Sequence, residues 1–126
     1  NFLSLMKNQQ NLIDYLDKEQ VKIAKTHKNA IIDSRLGAYL IKNAEYKIYL
    51  YASLKKRAKR LVSRDKENYK KAIREILSRE KFEINHYKKR YNVDYRNKKL
   101  YNIIINTQNS SVKKTVKEIL NKINSN

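Results

Sequence analysis

The sequence predicts an α/β domain built on a parallel sheet. Three observations predict it: short apolar runs alternate with segments of helical periodicity, the runs are separated by helix-sized stretches, and no proline- or glycine-rich linker interrupts the 126 residues, which hold one glycine and no proline. That length suits one domain. The expected layout has residues 1–29 helical, 30–64 holding central strands and an arginine-bearing helix, 65–96 a helical excursion, and 97–126 a last strand and C-terminal helix.

From Phe2 to Lys28, apolar residues at Leu12, Leu16, Ile23 and Ala24 follow an irregular helical period among good helix formers. One or two helices are expected, ending near His27-Lys28-Asn29. Ala30-Ile31-Ile32-Asp33 is too short for a helix and reads as a buried strand. Arg35-Leu36-Gly37 turns the chain into a short helical segment from Ala38 to Lys42. Glu45–Tyr51 is the clearest strand, with Ile48 and Leu50 on one face and Tyr49 and Tyr51 on the other. Ser53 is placed to cap a helix running to about Arg64. After Asp65 a longer helix is expected from about Glu67 to Tyr91. Tyr101–Ile105 is a third strand. Ser110 or Ser111 caps a final helix whose expected buried stripe is Val112, Val116, Ile119, Leu120 and Ile123.

Composition narrows the chemistry. Without cysteine there is no disulfide, thiol nucleophile or thiolate-bound metal, and the chain suits a reducing cytoplasm. No apolar run approaches the ~18 residues of a membrane span. The chain opens on Asn1 rather than methionine, as expected of a processed, trimmed or fragmentary chain. Thirty Lys and Arg against twelve Asp and Glu give a net charge of +18. This points to a polyanionic partner, while a lysine-, asparagine- and isoleucine-rich composition is also what biased codon usage produces. The scarcer arginines carry more information.

Arg57, Arg60 and Arg64 share one helix face, opposite Leu54, Ala58, Leu61 and Val62. Each guanidinium is a planar fork suited to phosphate oxygens. On the next helix Ile73, Ile76, Leu77, Ile84, Tyr87 and Tyr91 form the apolar stripe, and Arg79, Glu83, His86 and Arg90 lie beside it within ~60°. Two such rows face to face could clamp a triphosphate. The plainer reading is a solvated face laced with ion pairs, for which Glu75, Glu80 and Glu83 are at hand. His27 and His86 have no companions at metal-ligand spacing, so no metal site is expected.

The ordered segment IIDSRLGAYLIKNAEYKIYLYASLKKRAKRLVSRD, followed by SREKFEINHYKKRYNVD and LYNIIINT, resembles archaeal-type cytidylate kinases, with a weaker likeness over Ile13–Lys25. The resemblance implies the parallel sheet of a P-loop nucleoside monophosphate kinase, a helical lid, and phosphoryl transfer from ATP to CMP or dCMP with Mg2+. It implies that Arg35 binds the acceptor phosphate and that Arg57, Arg60 and Arg79 neutralise the transferring group. It further implies that Arg64, His86 and Arg90 contact substrate. His86 stands where the family more often has arginine, and Asn102 where it commonly has aspartate. Asn92 replaces a turn glycine.

Nothing like G-x-x-x-x-G-K-[ST] occurs in these residues. The resemblance therefore implies that the first strand, P-loop and first helix are absent, that a preceding segment or second chain completes the sheet and holds most of the ATP phosphates and Mg2+, and that the chain alone is inactive. The alternatives are a non-catalytic RNA- or ribosome-binding derivative, whose Tyr46, Tyr49, Tyr51, Tyr87 and Tyr91 could stack on bases, or a monophosphate kinase of other base preference.

Overall fold

A computed structural model describes residues 2–66 and 68–125. The chain forms two compact units that divide between Glu45 and Tyr46.

The first unit is mostly one helix, α1 (Phe2–Thr26). Its C-terminal carbonyls are capped locally: the Thr26 hydroxyl donates to the Lys22 carbonyl at 3.1 Å, and the His27 backbone N–H and Nδ1 both lie near the Ile23 carbonyl, at 3.1 and 3.0 Å. His27 is thus spent on ending a helix. The chain then passes through 27–36 into the four-residue helix α2 (Gly37–Leu40). Leu36 and Ile41 are buried at its two ends.

The strand expected at Ala30–Asp33 does not form, and Ile31 is fully exposed at 102%. Apolar composition favours a strand only when a neighbour supplies ladder hydrogen bonds and a cover, and among the described residues no segment pairs with this one.

The second unit is the α/β part. Strand β1 (Ile48–Tyr51) leads into helix α3 (Leu54–Asp65) and helix α4 (Tyr69–Tyr91). A 3-10 turn at Lys98–Leu100 precedes β2 (Ile103–Asn106), and α5 (Val112–Asn124) follows. The two strands pair in parallel with Ile48 opposite Ile103 and Tyr51 opposite Asn106. Ile103 and Ile105 turn inward with Ala58, Ala72, Tyr87 and Tyr95 to form the core. Tyr49 lies on the other face, its ring 6.1 Å from Tyr51 and 4.8 Å from Tyr101.

The starts of α3, α4 and α5 each have a side-chain cap, whereas α2 has none. Ser53 accepts from Lys56 N, Asn68 from Lys70 N and Lys71 N, and Ser111 from Lys114 N. The longer helix therefore opens after Asn68, and the start expected at Glu67 lies outside the described residues. Asn92 ends α4 in the left-handed region at φ 55°, as its short polar side chain allows. Lys66 ends α3 at φ 54° without that help.

Two expected stripes differ from observation. Along α5, Val112, Val116 and Leu120 are exposed and Thr115 is the buried residue. The Thr115 hydroxyl donates to Ser110 Oγ at 2.9 Å, in the loop that precedes the helix, and among the described residues a sheet two strands wide leaves the apolar stripe uncovered. Along α4, Leu77 is exposed while Glu83 and His86 are buried. Arg79, Glu83, His86 and Arg90 do share one face, but it is the packed one. Long arginines reach past the packing to solvent, and the shorter Glu83 and His86 cannot.

Candidate functional site

In parallel sheets the strand carboxyl ends open onto loops and helix starts, where ligands bind. Here those ends are joined by an arginine cluster. Arg57 Nε donates to the Ala52 carbonyl at 3.1 Å, just beyond β1, and Nη1 pairs with Glu80 of α4. Arg60 donates from Nη1 to Thr107 Oγ1 at 3.0 Å and from Nη2 to the Thr107 carbonyl, just beyond β2. Thr107 returns to β1: its N–H and hydroxyl both donate to the Tyr51 carbonyl, at 2.7 and 3.1 Å. Ser53 N–H donates to Gln108 Oε1 at 2.9 Å, closing the same edge. Two guanidiniums are thereby held at the top of the sheet by backbone carbonyls; Arg60 has only neutral partners here, whereas the charge of Arg57 is partly offset by Glu80.

The remaining candidates divide. Arg64 points to the end of its own helix, with Nε 2.8 Å from Asp65 Oδ1, and this guanidinium holds the Asp65 carboxyl below its ordinary range. Arg79 Nε donates to Glu83 Oε1 at 2.9 Å, one turn along α4. Arg90 lies over the Tyr91 ring, 5.3 Å from its centroid. His86 is buried, parallel to Phe82 at 6.1 Å and edge-on to Tyr87 at 5.7 Å. Its ring is a packing element between aromatics rather than part of an open basic row. Arg35 is exposed in the first unit, next to Ser34, whose hydroxyl donates to Gln20 Oε1 at 2.6 Å.

Asn102, the departure from the family pattern, sits at the opposite end of the strands. Its N–H donates to the Lys47 carbonyl and its Oδ1 accepts from Lys47 N, both at 2.8 Å. It sets the ladder register, ~16 Å of chain away from Thr107 at about 3.3 Å per residue. Sequence reasoning missed Thr107 and Glu80. For Thr107 a signal existed, a hydroxyl residue immediately after an apolar parallel strand. For Glu80 the choice among three nearby glutamates needed the packing of α4 on α3.

Beside this edge Asn106, Gln108, Asn109, Ser110, Lys114 and Glu118 line an open polar groove of about 210 Å³. Among the described residues no group of three or more His, Cys, Asp or Glu gathers at metal-binding distance. They do not fit a protein-held Mg2+, and no step is assigned to one. Among the same residues no helix is long and apolar enough to cross a membrane.

Comparison with known proteins finds relatives of one family. The family described as cytidylate kinase-like matches residues 3–109. A cytidylate kinase of Sulfurisphaera tokodaii is 34% identical over 84% of this chain and 61% of its own length. One of Saccharolobus islandicus is 35% identical over 87% and 59%. One of Thermococcus kodakarensis is 37% identical over 73% and 47%. The chain thus spans roughly half to three fifths of the relatives it matches.

Proposed function

The chain belongs to the cytidylate kinase-like family, and on that premise we propose that it carries the acceptor-binding and lid portion of an enzyme that passes a phosphoryl group from ATP to CMP or dCMP. The observation that carries this reading is the pair Arg57 and Arg60, anchored on carbonyls at the carboxyl ends of β1 and β2.

Phosphoryl transfer rests on positioning and on neutralising charge spread over the equatorial oxygens. A guanidinium has five N–H donors. Arg60 commits two to Thr107, and Arg57 commits two to Ala52 and Glu80. Each retains donors for phosphate. Arg79 adds charge from α4, and Arg64 and Arg90 add it at the rim. His86 serves by packing α4. Arg35 takes the acceptor phosphate in the first unit. ATP phosphates and Mg2+ would be held mainly by a glycine-rich loop that these residues do not contain, so transfer by this chain alone is not expected.

In the full-length protein, Arg57→Ala and Arg60→Ala should each lower CMP phosphorylation about 100-fold or more, the usual loss when one preorganised charge donor is removed. Unchanged rates in both variants would overturn the assignment.

One observation favours a second reading. Tyr49, Tyr51 and Tyr101 form a continuous aromatic surface, with Lys98 Nζ 5.3 Å from the Tyr51 centroid. On a chain of +18 this suits stacking on single-stranded RNA. Steeply salt-dependent RNA binding would support it, and no binding at ~100 mM salt would exclude it.

A further inference from the structure

The one glycine of the chain stands beneath Ser34. A β-carbon on Gly37 would lie 3.0 Å from Ser34 Cβ and 3.3 Å from Ser34 Oγ, tight enough that Ser34 would have to shift by a few tenths of an ångström. Gly37 has no positive φ, so its value here is space rather than backbone freedom. In that space the Ser34 hydroxyl donates to Gln20 Oε1 at 2.6 Å, from the loop to α1.

The bond has a chemical consequence. An amide has an accepting end and a donating end. With Oε1 occupied by the Ser34 hydroxyl, the Nε2 group of Gln20 is the end left for another partner, and among the described residues no acceptor for its two N–H groups is found. Gln20 is only half-buried, so those donors are within reach of a ligand. The residue after Ser34 is Arg35, assigned above to the acceptor phosphate. Gln20 is thus tied to the loop residue that precedes the arginine assigned to the acceptor phosphate, and an amide donor is a group that can read a base edge.

We propose that Gln20, oriented by Ser34 and the space at Gly37, determines base specificity by donating from Nε2 to a ring nitrogen of the acceptor nucleotide. That nitrogen is bare in cytosine and in adenine and carries hydrogen in uracil and guanine. A fixed N–H donor therefore accepts the first pair and opposes a donor in the second. The cost of facing donor to donor is that of a lost, unmatched hydrogen bond, a factor of about ten in affinity. Ser34 acts through Gln20 and is a positioning residue. The inference rests on the acceptor-site reading for Arg35.

The test is calorimetric titration of the full-length protein with CMP and with UMP. CMP should bind about tenfold tighter than UMP. Gln20→Glu keeps an oxygen for the Ser34 hydroxyl, so the loop anchor survives, but replaces the donor by an acceptor; the CMP preference should vanish. Ser34→Ala should narrow the ratio and Ser34→Thr should restore it, which a merely structural role would not do. Arg35→Ala should weaken CMP and UMP alike. An unchanged CMP-to-UMP ratio in Gln20→Glu, with Arg35→Ala weakening both, overturns the base-reading role and leaves the acceptor-site reading standing. Equal affinity of the unaltered protein for the two nucleotides does the same. Failure to bind either nucleotide, or indifference to Arg35→Ala, overturns both.

Discussion

Arg60 and Thr107 are joined twice, through the threonine hydroxyl at 3.0 Å and through its backbone carbonyl. Because Thr107 also donates twice to the Tyr51 carbonyl, one residue ties the ends of β1 and β2 to the second turn of α3. Thr107→Val keeps the branched shape and removes the hydroxyl, leaving the Arg60 donor to the carbonyl alone. A loss of about 1–2 kcal/mol is expected, read as a lower urea midpoint. Since Arg60 then has one anchor, phosphoryl transfer in the full-length protein should fall as well. A variant with unaltered midpoint would show that the hydroxyl bonds are replaced by water at no cost.

Glu80 is the acid that the packing of α3 on α4 sets against Arg57. Its side chain is 23% exposed and that of Arg57 is 37% exposed, so the pair is partly screened. Glu80→Gln should cost at most about 1 kcal/mol of stability while freeing one guanidinium donor for phosphate. Tighter binding of ATP, with a steeper salt dependence, is the expected titration result. Weaker binding would mean that Glu80 positions Arg57 rather than competing for it.

Lys66 holds a left-handed conformation, at φ 54° and ψ 34°, that suits glycine and costs an ordinary side chain. Lys66→Gly should therefore raise stability by a few tenths to about 1 kcal/mol, measured as a higher melting temperature. At the other such position, Asn92, asparagine already lowers the cost, and Asn92→Ala should destabilise by about 1 kcal/mol.

Asp94 accepts from Arg96 at its Nε, Nη2 and backbone N–H, at 3.0, 2.7 and 2.9 Å. The Arg96 side-chain bonds hold the Asp94 carboxyl below its ordinary value of 3.8, against a smaller opposing effect of burial. A depressed carboxylate stabilises the fold fully above its unfolded value, and that stabilisation is lost as pH falls through the folded value. The turn after α4 should thus hold from neutrality down to about pH 4 and loosen below it. Asp94→Asn should flatten the acid limb of the stability curve below pH 4. An acid limb identical to that of the unaltered protein would assign it to other carboxylates.

Much of this was legible from local chemistry. Ser53 and Ser111 announced helix starts because a capping hydroxyl needs only its own next turn, and Asn92 announced a left-handed end for the same reason. What failed was non-local. Ile31 and Ile32 have strand composition, yet a strand is a pairing and no described segment pairs with them. Val112, Val116 and Leu120 have the right period, yet the periodicity names a face without naming what covers it. Arg57 and Arg60 were found by spacing. Their anchors were not: Ala52 acts through a backbone carbonyl, which leaves no mark in a sequence, and the hydroxyl of Thr107, though placed directly after an apolar strand, names no partner by itself. Gln20 lay hidden among many polar helix residues until the Ser34 bond singled it out.

The parallel ladder pairs residues fifty-five positions apart, as do the bonds from Lys47 N to Asn102 and from Ser53 N to Gln108. Every rung therefore closes a long loop before returning any enthalpy. The α3–α4 hairpin, whose contacts are nearer in sequence, shortens that loop when it folds, and so the helices precede the sheet in time. Arg57 can meet Glu80 as soon as the hairpin exists, but Arg60 reaches Thr107 only once the strands have zipped. The Arg60–Thr107 anchor is thus expected to form after the hairpin and to be lost when the strands part.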